Sequence, residues 1–179
     1  MSEHGEASVS VRLAEASERT LIEGLSQFYI YDFSEMEPAG SEGFEFDDRG
    51  GFDPLPGLDD YWRLEGFHPL VIRVGGRPAG FALVNTRSHQ GGAVERNMGE
   101  FFVARKHRRR GVARQAIRLV LAEFPGRWEV AVADRNVAAK AFWPQAIAAA
   151  PNVSGLVRLE GNGEHWRGPI WSFRAAAGL

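Results

Sequence analysis

The 179-residue chain contains no cysteine. Disulfides, thiolate-ligated zinc and a cysteine nucleophile are excluded, and the composition suits a reducing compartment. No stretch approaches the roughly 18 consecutive apolar residues of a membrane span. Met1 to Ser10 is polar and acidic, without the apolar core of a signal peptide, so the expected location is cytoplasmic. His68 and His89 stand alone, and His4 and His165 lie near the ends of the chain. None has the spacing of a metal site, so no metal is expected and each reads as a surface or capping residue.

What is present is ordinary in bulk and uneven in detail. Hydrophobic residues make up 44% and charged residues 25%, with a net charge of -2, as in a globular domain with no bulk affinity for nucleic acid or anionic membrane. Yet ten acids face one base, Arg49, between Asp32 and Asp60, and seven Lys/Arg with no acid occupy Arg105 to Arg118. Such a layout suits an anion site beside a cation site, or else two solvated stretches.

Hydrophobic periodicity gives a coarse element order in one domain spanning 1–179. Val9 to Leu13 alternates as a strand, and Ser17 is the expected N-cap of a helix running to about Asp32. Residues 33 to 57 read as a long irregular loop and Asp59 to Leu64 as a short helix. Two apolar runs around Gly75-Gly76 predict a hairpin, followed by a polar loop over 86–95 and a strand over Met98 to Ala104. Val112 to Phe124 is an amphipathic helix stopped by Pro125-Gly126, Trp128 to Ala133 a strand, and Asn136 to about Ala149 a helix. Val153 to Leu159 and Pro169 to Phe173 close the series, an α/β layered domain with one central sheet.

Arg108-Arg109-Arg110-Gly111-Val112-Ala113 joins a strand to a helix. A helix start offers unpaired N–H groups and a positive dipole end, Gly111 permits close approach, and arginines add charge-assisted bonds, so a diphosphate is a natural occupant. A solvated turn and a nucleic-acid patch are the alternatives; no aromatic interleaving supports the latter. No Gly-Lys-Ser/Thr follows, which excludes a P-loop.

These residues resemble the GNAT superfamily of acyl-CoA-dependent N-acyltransferases. Arg108-x-x-Gly111-x-Ala113 matches its phosphate motif Gln/Arg-x-x-Gly-x-Gly/Ala, and Asn136-x-x-Ala139-x-x-Phe142 matches its second cofactor segment. The detailed likeness covers about residues 98 to 143. It implies a mixed, mostly antiparallel sheet flanked by helices, with acetyl-CoA as cosubstrate and an amine as acceptor. It also implies that Arg108, with the amides from Arg109 through Arg110, Gly111, Val112 and Ala113 to Arg114, holds the pyrophosphate. Phe102 and Val103 would pair with the pantetheine, Asn136 would bond it, and Phe142 would pack on it. Asn136 also reads as a helix N-cap and Phe142 as a core aromatic.

Trp143 stands where many members carry a tyrosine that protonates the departing thiolate. An indole N–H cannot act as a general acid, which leaves Tyr31, Tyr29 or water for the task, or leaves an acyl-CoA-binding module without catalysis. Glu100, an acid in an apolar strand, is the candidate base, or else a salt-bridged strand residue. The acids and aromatics between Phe28 and Asp48 suit a cationic amine, small molecule or peptide. A second copy of the chain is compatible as partner; membrane and nucleic acid are not expected.

Overall fold

The computed structural model describes residues 8–178; Met1–Ala7, including His4 and most of the polar N-terminal stretch, and Leu179 lie outside the described residues. Seven strands form one sheet: β1 (Val9–Leu13), β2 (His68–Val74), β3 (Arg77–Arg87), β4 (Ala93–Val103), β5 (Gly126–Ala131), β6 (Val153–Glu160) and β7 (Pro169–Ala175). Their order across the sheet is β1-β2-β3-β4-β5-β7-β6. All neighbours are antiparallel except β4 and β5, whose parallel pairing requires a long crossover. That crossover is helix α2 (Val112–Glu123); α1 (Arg19–Ser34) follows β1, and α3 (Val137–Ala148) follows β5.

The sequence of β3 explains why the sheet lies between two layers. Ala79 to Asn85 is buried throughout, so its side chains alternate between two apolar faces and no polar face appears. Phe81 and Leu83 pack with Ile22 and Ile30 of α1, whereas Ala82 and Val84 pack with Ile117 and Val120 of α2 and Ile147 of α3. At the centre of the second layer Trp128 is fully buried, stacks on Phe173 at 6.2 Å, and donates its Nε1–H to the Phe124 carbonyl at 2.8 Å. That bond satisfies the indole's only polar atom at its most buried point.

Several expected boundaries move. Ser17 does not cap α1. The chain instead enters the helix through a 3₁₀ turn over Ala16–Glu18, in which the Glu15 amide bonds the Glu18 carboxylate at 3.0 Å. The helix continues past Asp32 to Ser34, because Tyr29 and Phe33, one turn apart, pack together at 4.7 Å between ring centres. The short helix expected over Asp59 to Leu64 is a 3₁₀ turn over Leu58–Trp62. The polar loop shrinks to 88–92, since β4 begins at Ala93 and buries Val94. Likewise β5 begins at Gly126, two residues earlier than its alternation showed.

Glu18 ties three elements together. It bonds Arg12 of β1 at 2.7 Å and Arg73 of β2 at 2.7 Å, at the foot of α1. Arg12, the Glu15 amide and Arg73 together lower its carboxyl to about 2. A carboxyl held that low stabilises the fold above its unfolded pKa, and the contribution fades as pH falls toward 2. Glu18→Gln should therefore cost about 1–2 kcal/mol in denaturant melts at pH 7. The gap to wild type should narrow in the same melts at pH 3.

Candidate active site

Strands β4 and β5 are paired only at Arg96 with Trp128 and Asn97 with Glu129. Beyond Asn97 they diverge, and a cavity of about 700 Å³ opens between them. Met98, Glu100 and Phe101 of β4 form one wall and Val130 to Ala133 the other. Tyr29 and Phe33 of α1 cover it on one face and Trp143 of α3 on the opposite face. The edge of β4 facing the cavity therefore carries backbone groups that β5 does not use, the condition for adding an extended ligand to a sheet.

The local cause of Glu100's position is a bulge. Leu83 pairs with Glu100 and Val84 with Met98, so Gly99 is an extra residue in β4. A side chain there is excluded, because a Cβ would lie 2.5 Å from the Tyr61 hydroxyl and 2.6 Å from Asn85 Nδ2. Without the bulge, Glu100 would share the face of Met98, which packs against α2 and α3. With it, Glu100 faces α1, where the Tyr29 hydroxyl donates to its Oε2. Burial there pushes the Glu100 carboxyl up to about 7, with the Tyr29 bond pulling the other way. Burial and the Glu100 charge push the Tyr29 phenol well above its ordinary value.

Under the bulge runs a buried polar column. Asn85 Nδ2 donates to Tyr61 at 2.6 Å, and Asn97 Nδ2 donates to Asn85 Oδ1 at 3.0 Å. Burial raises the Tyr61 phenol to about 12.

The basic loop closes the far end of β4. Arg109 has φ 58 and Gly111 φ 77, both left-handed, and Gly111 is the N-cap of α2. Arg109 is strained in this conformation, and such turns point successive amides to one side as an anion nest. The first helical bond is donated by Gln115 to the Gly111 carbonyl at 3.0 Å. Among the described residues, no bond uses the amides from Arg109 to Arg114. A Cβ on Gly111 would meet nothing within 4 Å, so the turn is open to solvent at this point. Val112 is buried and anchors the helix start, while Arg109 and Arg110 are exposed.

Arg108 has a different task from its neighbours. Its Nε donates to the Val103 carbonyl at 2.7 Å, its guanidinium lies 5.6 Å from the Phe102 ring centre, and its Nη2 grips Asp32. Arg105 binds the same carboxylate at 2.8 Å. Arg108 thus turns back into the protein, occupying the Val103 carbonyl expected for pantetheine, and fastens the loop to the end of α1.

The family model described as the acetyltransferase (GNAT) family matches residues 29–146. The chain belongs to the GNAT acetyltransferase family. Solved structures agree on the fold. An acetyltransferase from Thermus thermophilus is 17% identical, with TM-score 0.61, covering 94% of this chain and 97% of its own. A GNAT acetyltransferase from Streptococcus agalactiae is 15% identical, with TM-score 0.61 and 96% of each chain covered. Spermidine N-acetyltransferase from Vibrio cholerae, in complex with CoA and spermine, is 15% identical with TM-score 0.52 over 92% of this chain and 93% of its own. Among curated proteins there is no match.

Within this GNAT fold the expected site residues separate into two groups. Glu100, Phe102, Val103 and the 109–114 amides lie along β4 and the loop that continues it. Asn136 lines the cavity and also caps α3, accepting from the Ala139 amide at 3.0 Å. Phe142 of α3 packs beside Trp143, at 5.8 Å between ring centres, half-buried against the core. Tyr31 falls outside the site: it is 53% exposed and lies against Phe52. Helical spacing is the reason, since Tyr29 and Phe33 share the face toward the sheet and Tyr31 points away. His89 and Trp166, from two connections far apart in sequence, also line the cavity. No local pattern marks either of them.

Glu100 is raised, so its charged form costs stability as pH climbs from its unfolded value to about 7. Glu100→Gln should unfold at a higher temperature than wild type at pH 8, and at nearly the same temperature at pH 4, by calorimetry. Equal melting shifts at both pH values would show that the buried carboxylate carries no such cost.

Proposed function

We propose that residues 1–179 form one acetyl-CoA-dependent N-acetyltransferase domain acting by direct attack of a primary amine. The observation that carries the proposal is the pairing of two features along β4: a carboxyl near neutrality facing the cavity, and unspent amides at the strand's end. The amides from Arg109 to Arg114, with Arg109 and Arg110 beside them, suit a pyrophosphate. The free edge of β4 near Phe102 suits an extended amide-bearing arm and offers N–H groups to a polarised carbonyl oxygen. Acetyl-CoA would supply the activated acetyl thioester there.

The acceptor is a cationic amine, small molecule or peptide. Glu42, Glu45 and Asp53 line the mouth together with Phe44, Phe46 and Phe52, so charge and ring faces both favour an ammonium. That a protein of this fold holds CoA and the polycation spermine supports this reading. Glu100 in its ionised form takes a proton from the ammonium, and the freed nitrogen attacks the acetyl carbon. As the new C–N bond forms and the C–S bond breaks, Tyr29 passes its proton to the sulfur. It recovers one from Glu100 through their hydrogen bond, so the phenol need never ionise. Tyr29 thereby fills the role that Trp143 cannot.

Calorimetry with acetyl-CoA should show one site, and Gly111→Val should weaken it at least tenfold, since a β-branched residue is strained at φ 77 and would shift the turn that presents the amides. No heat with the wild-type protein would remove the proposal. Glu100→Gln should keep acetyl-CoA affinity within twofold while lowering kcat roughly 100-fold in a thiol-release assay. In wild type kcat/KM should rise as pH passes about 7, where Glu100 loses its proton, and the variant should lack that inflection.

A further inference from the structure

The connection between β3 and β4 is pinned in place. Glu129 of β5, only 6% exposed, accepts from Ser88 Oγ at 2.9 Å, the His89 amide at 3.2 Å and Gln90 Nε2 at 3.1 Å. Among the described residues it makes no ion pair, so its charge is spent on holding this connection. The result is a fixed imidazole. His89 meets Trp166 edge-on at 4.6 Å between ring centres, and Trp166 is itself held by its Nε1–H on the Val132 carbonyl at 3.3 Å. His89 lies at the closed end of the β4–β5 opening, beside Asn97 and Glu129, the last residues the two strands pair.

Two buried atoms here lack a partner among the described residues: His89 Nδ1 and Asn97 Oδ1. Asn97 stands beside the imidazole and favours its protonated form, as an acceptor does. Asn97 cannot turn its amide around, because Nδ2 is committed to Asn85, which is committed to Tyr61. The Asn97 oxygen is thus the acceptor left for the ring, and Nδ1 is the buried ring nitrogen without another partner, so the pair calls for a proton on Nδ1. That leaves Nε2 with its lone pair, on a ring that lines the cavity.

Direct transfer demands such a group. An ammonium becomes an amide nitrogen by losing two protons, and the departing sulfur takes one of them. The other must leave the site. Glu100 and Tyr29 serve the first proton. We infer that His89 is a second proton acceptor of this cavity, taking through Nε2 the proton that the acceptor nitrogen sheds once its bond to the acetyl carbon has formed. The step breaks one N–H bond, forms one imidazole N–H bond, and returns the proton to water when product departs.

Burial lowers the ring's affinity for a proton, while the Glu129 charge and Asn97 oppose that effect. The other titratable groups nearest this end are Glu100 on β4, three residues beyond Asn97, and His165, which packs against Gly91, while Asp53 lies at the mouth. A ring kept neutral at pH 7 in this setting can accept a proton and still release it.

This inference rests on the proposed transferase activity, and one set of measurements separates the two. Acetyl-CoA is assayed with spermidine, tyramine, lysine and a glycine-initiated tripeptide, for wild type, His89→Gln and Glu100→Gln. His89→Gln should bind acetyl-CoA within twofold of wild type but lower kcat at least tenfold, and one ionisation should vanish from the acidic limb of its pH profile. Glu100→Gln should keep that ionisation. Nitrogen-15 spectra of the histidines at pH 7 should show His89 protonated at Nδ1, and Asn97→Ala should abolish that preference. Unchanged turnover and profile in His89→Gln, or a ring protonated at Nε2, overturns the role of His89 alone. Absence of thiol release by wild type with every amine removes the transferase proposal and this one with it.

Discussion

Parallel pairing between β4 and β5 stops after two residue pairs, and the rest of the architecture is arranged around that break. A strand in the middle of a sheet normally spends its backbone groups on both neighbours, and leaving them unmade is costly when they are buried. Here β3 satisfies one edge of β4 along its length while the other edge faces a cavity. The unpaired edge is tolerable where water or an extended ligand completes it. The turn that follows the same strand leads into helix α2, whose first amides are open.

The bulge at Gly99 acts at the same place. It interrupts the alternation of β4 by one residue, so an acid that would lie among the apolar residues beneath α3 is turned toward α1 and meets a phenol. The consequence is electrostatic. A carboxyl removed from water, bonded to a neutral donor and given no cation, favours its protonated form until pH nears neutrality. A cation at Glu100 would lower the carboxyl and spoil it for the proposed role of base. The arginines that follow it along the chain are drawn elsewhere, Arg105 and Arg108 both to Asp32.

That Asp32 clasp joins the two halves of the site. Helix α1 carries Tyr29 and leads into the acidic loop, and the clasp fixes its end to the loop that offers the amides. Glu129 does comparable work at the opposite end, where one buried carboxylate holds a connection that would otherwise be free. Three buried or half-buried acids around the sheet thus have unlike partners: arginines for Asp32, neutral donors for Glu129 and a phenol for Glu100.

Local chemistry alone made much of this legible. Apolar periodicity marked α1, α2 and the strands, because burial of one face or two leaves its period in the sequence, while alanine-rich composition marked α3. The glycine-bearing basic turn before α2 was likewise readable, since its chemistry is carried by consecutive backbone groups. Glu100 stood out as an acid in an apolar strand. Contacts between distant segments left no such trace. That Tyr29 rather than Tyr31 meets Glu100 depends on the bulge and on how α1 sits across the sheet. That Arg108 grips Asp32, and that His89 meets Asn97, Glu129 and Trp166, depends on strands brought together from four parts of the chain. Periodicity reports which face of an element is buried; only packing decides what that face is buried against.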